Sequence, residues 1–157
     1  MTMRENVAVM LEIFRAIEGR DQDKVLALCD PDVELHWPPS LPYGGGGRGV
    51  EPRPDQAPEE TWAGTWIPLQ PTEAERRLDP RVVAASDDEV AVLWHQRGVD
   101  SAGNRVDGEV LALYRLHDGK LARAQMFDFD TVAVAGFLAN AARETTVDGR
   151  RPSSAAG

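Results

Sequence analysis

The segment EVLALYRLHDGKLARAQMFDFD, Glu109 to Asp130, constrains the fold most. Two runs with period-2 alternation flank His-Asp-Gly-Lys, the signature of an antiparallel hairpin with one buried face. A lone hairpin is marginal in water, so it needs neighbours. EVAVLWHQRGV and AERRLDPRVVAA, joined by Ser-Asp-Asp, read as two further strands, and DSAGNRVDG as the turn into the hairpin. Upstream, VELHW alternates Val33, Leu35 and Trp37 against Glu34 and His36 and stops at Pro38-Pro39.

Helical spacing bounds this strand-rich region. Val7, Met10, Leu11, Phe14 and Ile17 recur as one face of a helix that stops at Gly19. Asp21 is placed to cap a short second helix with Val25, Leu26, Leu28 and Cys29 on its buried side, ended by Asp30-Pro31. Val132, Val134, Phe137 and Leu138 predict a closing helix from Thr131 to about Ala142, and the tail RETTVDGRRPSSAAG is expected to be frayed or disordered. The order implies an α+β fold with helices packed on one face of a curved antiparallel sheet. A length of 157 residues makes one domain the default, residues 1–143, followed by the tail 144–157.

The net charge of −9 argues against nucleic-acid phosphates and anionic membrane surfaces as partners. The single cysteine, Cys29, allows no internal disulfide and reads as a buried thiol. No apolar run reaches the length of a membrane span, and no signal core follows the N-terminus, so a cytoplasmic protein is the simplest expectation.

Residues 40–71 form a long irregular stretch, with GGGGRG followed by Pro52, Pro54, Pro58, Pro68 and Pro71. A loop of this length suggests a lid or binding loop. Trp62 and Trp66, one helical turn apart, could roof a pocket or anchor the loop to the core. The glycine run leads into prolines rather than a helix, so it reads as a flexible turn and not a phosphate loop.

No nucleophile elbow or dinucleotide fingerprint is present, and His36, His95 and His117 lack metal-ligand spacing, so neither metal nor cofactor is expected. His117 falls in the hairpin turn and His36 on an exposed strand face. His95 interrupts a strand that is apolar on both faces and is a candidate acid or base. Asp128 is the stronger candidate. It shares a face with Ala122, Ala124 and Met126, where a carboxyl would be partly desolvated and raised in pKa, while Asp130 is placed to cap the closing helix. The hairpin register remains open. A two-residue Asp118-Gly119 loop sets Glu109 opposite Asp128, whereas a three-residue loop sets Gly108 there and turns Glu109 outward.

The segments ALCDPDVELHWPPSLPYGGGGRG and LYRLHDGKLARAQMFDFDT, with the helical start before them, resemble the NTF2-like superfamily, specifically its SnoaL-like branch of polyketide cyclases and small-molecule isomerases. The resemblance covers most of residues 4–142. It implies a cone whose curved sheet wraps an internal pocket closed by the N-terminal helices, a homodimer, and the three-residue register, with Val110, Ala112, Tyr114, Ala124, Met126 and Asp128 pointing inward. The chain departs from the related ketosteroid isomerases. The position of their base holds Trp37, that of their protonated aspartate holds Ala112, and the first helix has no tyrosine.

The expected function is cofactor-independent acid–base catalysis, a cyclisation, isomerisation or dehydration of a hydrophobic polyketide-like metabolite. Asp128 would carry the proton, and Tyr114, His95 or the indole of Trp37 would orient a substrate oxygen. Trp37, Tyr114, Met126, Phe14 and Trp66 are the expected substrate-binding residues. The alternatives are epoxide hydrolysis or epoxide-opening cyclisation, a non-catalytic ligand-binding module, and a protein-interaction domain.

Overall fold

The computed structural model describes the backbone of residues 2–49, 55–57 and 60–155, and side chains as far as residue 144. Pro52, Pro54 and Pro58 lie outside the described residues. Helix α1, Met3–Glu18, starts in a capping box: the Thr2 side chain accepts from the Glu5 N–H while Glu5 accepts from the Thr2 N–H. It buries Met10, Ile13 and Phe14 and ends at Gly19. Helix α2, Gln22–Leu28, is capped by Asp21 as its sequence implies. It is shorter than expected, because Cys29 opens strand β1, Cys29–Trp37, instead of closing the helix.

The remaining strands are β2, Gly45–Arg48; β3, Arg81–Ala85; β4, Glu89–Val99; β5, Arg105–His117; and β6, Lys120–Asp128. They form one curved, unclosed sheet in the order β2-β1-β6-β5-β4-β3. The sheet is mixed, not wholly antiparallel, because β1 runs parallel to β6. Between β2 and β3 stand α3, Trp62–Trp66, a 3₁₀ turn, Ile67–Leu69, and α4, Glu73–Arg76. The expected strand AERRLDPRVVAA is therefore strand only from Arg81; its first part forms α4. The glycine run is likewise no free turn: it is β2, paired antiparallel with Glu34–Trp37.

Alternation on β4 and β5 sends Val90, Val92, Trp94, Val110, Ala112, Tyr114 and Leu116 to the concave face, where α1 packs over them. The hairpin does not have the three-residue loop that the resemblance implies, although it keeps the inward set expected with it. Asp118 and Gly119 form a two-residue turn, both with positive φ. A bulge then falls between Leu121 and Arg123, so Val110, not Glu109 or Gly108, faces Asp128. Leu121 takes the inward place expected of Ala122, and Ala124, Met126 and Asp128 keep theirs. Helix α5, Thr131–Ala155, starts with the Asp130 carboxylate accepting from the Ala133 N–H and continues past the expected end near Ala142 into the expected tail.

Candidate functional site

The cone encloses a cavity of about 580 Å³, within the range of small-molecule sites. A small inward residue in the middle of the sheet, Ala124, is among those that line it. Aromatic side chains build the walls. Phe14 meets Trp94 edge-on at 6.1 Å and Tyr114 at 5.9 Å. Trp37 stands edge-on to Tyr43 at 5.0 Å and to Trp94 at 6.4 Å, and lies nearly parallel to Trp62. Such rings bury large apolar area with few rotatable bonds, so the walls are shaped in advance of any ligand.

Four of the expected binding residues, Phe14, Trp37, Tyr114 and Met126, line this cavity together. Trp66 does not. It is fully buried behind the wall, donates its indole N–H to the Tyr43 hydroxyl at 3.0 Å and stacks on Phe137 of α5. Trp62 is the lining member of the pair, held by an N–H to the Gln96 side-chain oxygen at 2.7 Å. The two tryptophans thus divide the alternatives, one roofing and one anchoring.

Arg20, Gln22, Arg48, Gln56 and Thr61 also line the cavity but are exposed or half-buried, so the polar groups on its buried lining residues are those of Tyr43, Tyr114, Trp94 and Cys29. Tyr114 is a wall residue, and the Trp94 indole N–H faces its hydroxyl oxygen without reaching full hydrogen-bond geometry. Burial pushes the phenols of Tyr43 and Tyr114 above their ordinary value, so both remain neutral donors. Burial also raises the Cys29 thiol to about 11, leaving it inert at neutral pH. Asp21 and Glu60 are the carboxylates among the lining residues, and both are exposed and occupied by backbone N–H groups.

Asp128 faces inward but is not among the residues lining the cavity; it sits one inward step beyond Met126, near enough for its charge to raise the Tyr43 phenol. Its Oδ1 is enclosed and unpaired, and burial pushes the carboxyl up to about 6. His95 is separated from this region altogether. Its side chain lies on the convex face, where Nδ1 is 2.7 Å from Asp107 Oδ1 and Arg97 braces Asp107 and Asp79. The apolar residues around His95 in sequence hid a surface ion network. His36 lies 3.5 Å from Glu34, and His117 is exposed at the turn. Among the described residues, no group of three His, Cys, Asp or Glu side chains could hold a metal ion, and no helix is long and apolar enough to cross a membrane.

Sequence reasoning missed Trp94, Trp62 as the lining residue, Tyr43 and the β2 glycines. Trp94 was legible: it continues the inward Val90, Val92 series. Tyr43 and the glycines carry no periodic signal, since only the pairing of β2 with β1 brings them to the cavity.

The family model of the SnoaL-like domain matches residues 10–124. Solved structures share the fold. TerC, co-crystallised with polyporic acid, aligns at 24% identity over 85% of this chain and 98% of its own, with a TM-score of 0.67. Bal32a, from a soil-derived mobile gene cassette, aligns at 16% identity over 87% and 98%, also with a TM-score of 0.67. A candidate SnoaL-like polyketide cyclase from Jannaschia Sp. CCS1 aligns at 19% identity over 85% and 90%, with a TM-score of 0.64. No curated protein matches the sequence. At the family level these findings support a cofactor-free cyclase or isomerase and a small hydrophobic ligand. With its family match covering most of the chain and its α+β cone shared by NTF2-like structures, the chain belongs to the SnoaL-like family.

Proposed function

We propose that this chain is a cofactor-independent enzyme that moves a proton on a flat, hydrophobic, polyketide-like molecule, in a cyclisation, isomerisation or dehydration. The carrying observation is the cavity of about 580 Å³ whose buried wall is aromatic and aliphatic. The co-crystallisation of TerC with polyporic acid agrees with a small organic ligand for this fold. Asp128 is the proton carrier in this reading. Its carboxyl, raised to about 6, can hold or release a proton near neutrality, at the edge marked by Tyr43. The Tyr114 hydroxyl donates to a substrate oxygen. The Trp94 N–H faces the phenol oxygen, and the Tyr114 O–H is the donor in this reading.

One observation favours a second reading, a binding module without catalysis: among the described residues, the carboxylates that line the cavity, Asp21 and Glu60, are both exposed. Asp128→Asn separates the two. Tested on a panel of polyketide-type ketones, the variant is expected to retain binding and to lose turnover about 100-fold or more. Turnover equal to wild type, with binding intact, would sink the acid–base assignment.

The active form in this proposal is a homodimer through the convex face. Leu93, Leu111 and Phe127 form a row across three strands there, and Leu111 and Phe127 are among the exposed large hydrophobic residues. Glu109 and Asp107 flank the row on one side, and Arg115 and Arg123 on the other. A two-fold axis through the row sets opposite charges against each other.

A further inference from the structure

Helix α1 ends at Gly19, yet the residue that takes the left-handed conformation is the next one. Gly19 keeps φ −83°, and Arg20 has φ +59°. The Arg20 N–H donates to the Ile17 carbonyl at 3.1 Å and the Asp21 N–H to the Ala16 carbonyl at 2.9 Å, the pair of bonds that closes a helix through a left-handed residue. Glycine or asparagine usually stands there, because a Cβ is crowded at positive φ. An arginine on a strained backbone points to a use for its side chain.

Arg20 is half-buried and lines the cavity. Its Nη2 donates to the Oε1 of Gln70, a side chain 1% exposed whose Nε2 donates to the Arg97 carbonyl at 2.8 Å. Gln70 is therefore fixed, and it fixes the guanidinium. The Gln70 carbonyl also accepts from Arg76 Nε at 3.1 Å, which brings a second cation to bear on the first. Among the described residues no carboxylate pairs with Arg20, and the rest of its fork of N–H donors meets no acceptor. Asp21 and Glu60, the acids that line the cavity, accept from the Lys24 and Ala57 N–H groups instead. Partial burial, and after it the Arg76 charge, hold the Arg20 pKa below the usual arginine value, the reverse of what a carboxylate partner does. Arg48, the other cation among the lining residues, is exposed on β2.

We propose that Arg20 is a specificity-determining residue that binds the carboxylate of an acidic ligand, its donor fork held at the cavity by Gln70. The planar fork of a guanidinium matches the two oxygens of a carboxylate. This deepens the proposed function and rests on it, by adding one anionic group to the hydrophobic ligand.

The test titrates wild type, Arg20→Asn and Arg20→Lys with 2-naphthoic acid, ionised at neutral pH, and with its neutral counterpart 2-naphthamide. Affinities come from isothermal titration calorimetry, and folding from thermal melts. Wild type is expected to bind the acid about tenfold or more tighter than the amide. Asparagine tolerates the left-handed backbone, so Arg20→Asn is expected to keep the amide within about threefold of wild type and to bring the two affinities within about twofold of each other. Arg20→Lys keeps the charge without the fork; its preference for the acid should fall about threefold, and it carries the comparison if the asparagine variant does not fold. A wild type without preference for the acid, a preference unchanged in every variant that folds, or an equal loss of both probes in Arg20→Asn would overturn the carboxylate site alone. Failure of wild type to bind either probe would overturn the proposed ligand class, and the carboxylate site with it.

Discussion

Asp128 shows how one position can carry both a functional and a thermodynamic signature. Its carboxyl moves from an ordinary 3.8 to about 6 because burial disfavours the charge and Oδ1 has no partner to offset it. Between about pH 4 and 6 the native state therefore binds more protons than the unfolded chain, so this group's contribution to stability falls as pH rises through that window. Asp128→Asn removes the penalty. The variant is expected to melt above wild type at pH 7–8, by about 1 kcal/mol once solvent screening of a half-buried group is allowed for, with the gain fading by pH 4. Melting temperatures across pH 4–8 check this; a variant less stable at pH 8 than at pH 4, relative to wild type, contradicts it. The inward direction of Asp128 was legible from its spacing to Met126 and Ala124, because period-2 alternation survives to the strand end. Its place beyond the cavity wall was not, because that depends on Tyr43, which reaches the site through a loop. His95 misled for a related reason: alternation tells two faces apart but does not say which is wet when both carry apolar residues.

At the scale of elements, the long segment between β1 and β3 is fastened by paired aromatic contacts. Trp66 is enclosed between Tyr43, Phe137 and the bare backbone of Gly98, where a Cβ would stand 2.9 Å from the ring. Gly98→Ala therefore overpacks a site with no space to yield and is expected to destabilise the fold by about 1–3 kcal/mol, read as a lower urea midpoint with an unchanged slope. An unchanged midpoint would show that Trp66 is not held there. Helices α1 and α2, the strands β4 to β6 and the capping roles of Asp21 and Asp130 were legible, since each rests on local periodicity or capping chemistry. Strand β2 was not. Its glycines have no β-propensity, and only pairing with β1 makes them a strand. The bulge after Leu121 was equally silent, yet it decides that Val110 faces Asp128.

The described residues present two apolar surfaces of opposite kind, an aromatic cavity and an exposed row on the convex sheet. The row belongs to the proposed homodimer. Leu111→Glu is expected to convert a dimer to a monomer in sedimentation velocity while leaving the melt within a few degrees of wild type, since residue 111 points away from the core. A wild-type chain that sediments as a monomer at micromolar concentration would refute the dimer. The cavity carries the central claim, that a desolvated carboxyl serves a flat hydrophobic substrate. The pH dependence of kcat/KM on a turned-over polyketide-type ketone tests it most directly. The account predicts an inflection near pH 6 in wild type, matching the raised Asp128 carboxyl, and no such inflection in the residual activity of Asp128→Asn. A profile that is flat from pH 5 to 8, or one whose inflection persists in Asp128→Asn, would contradict it.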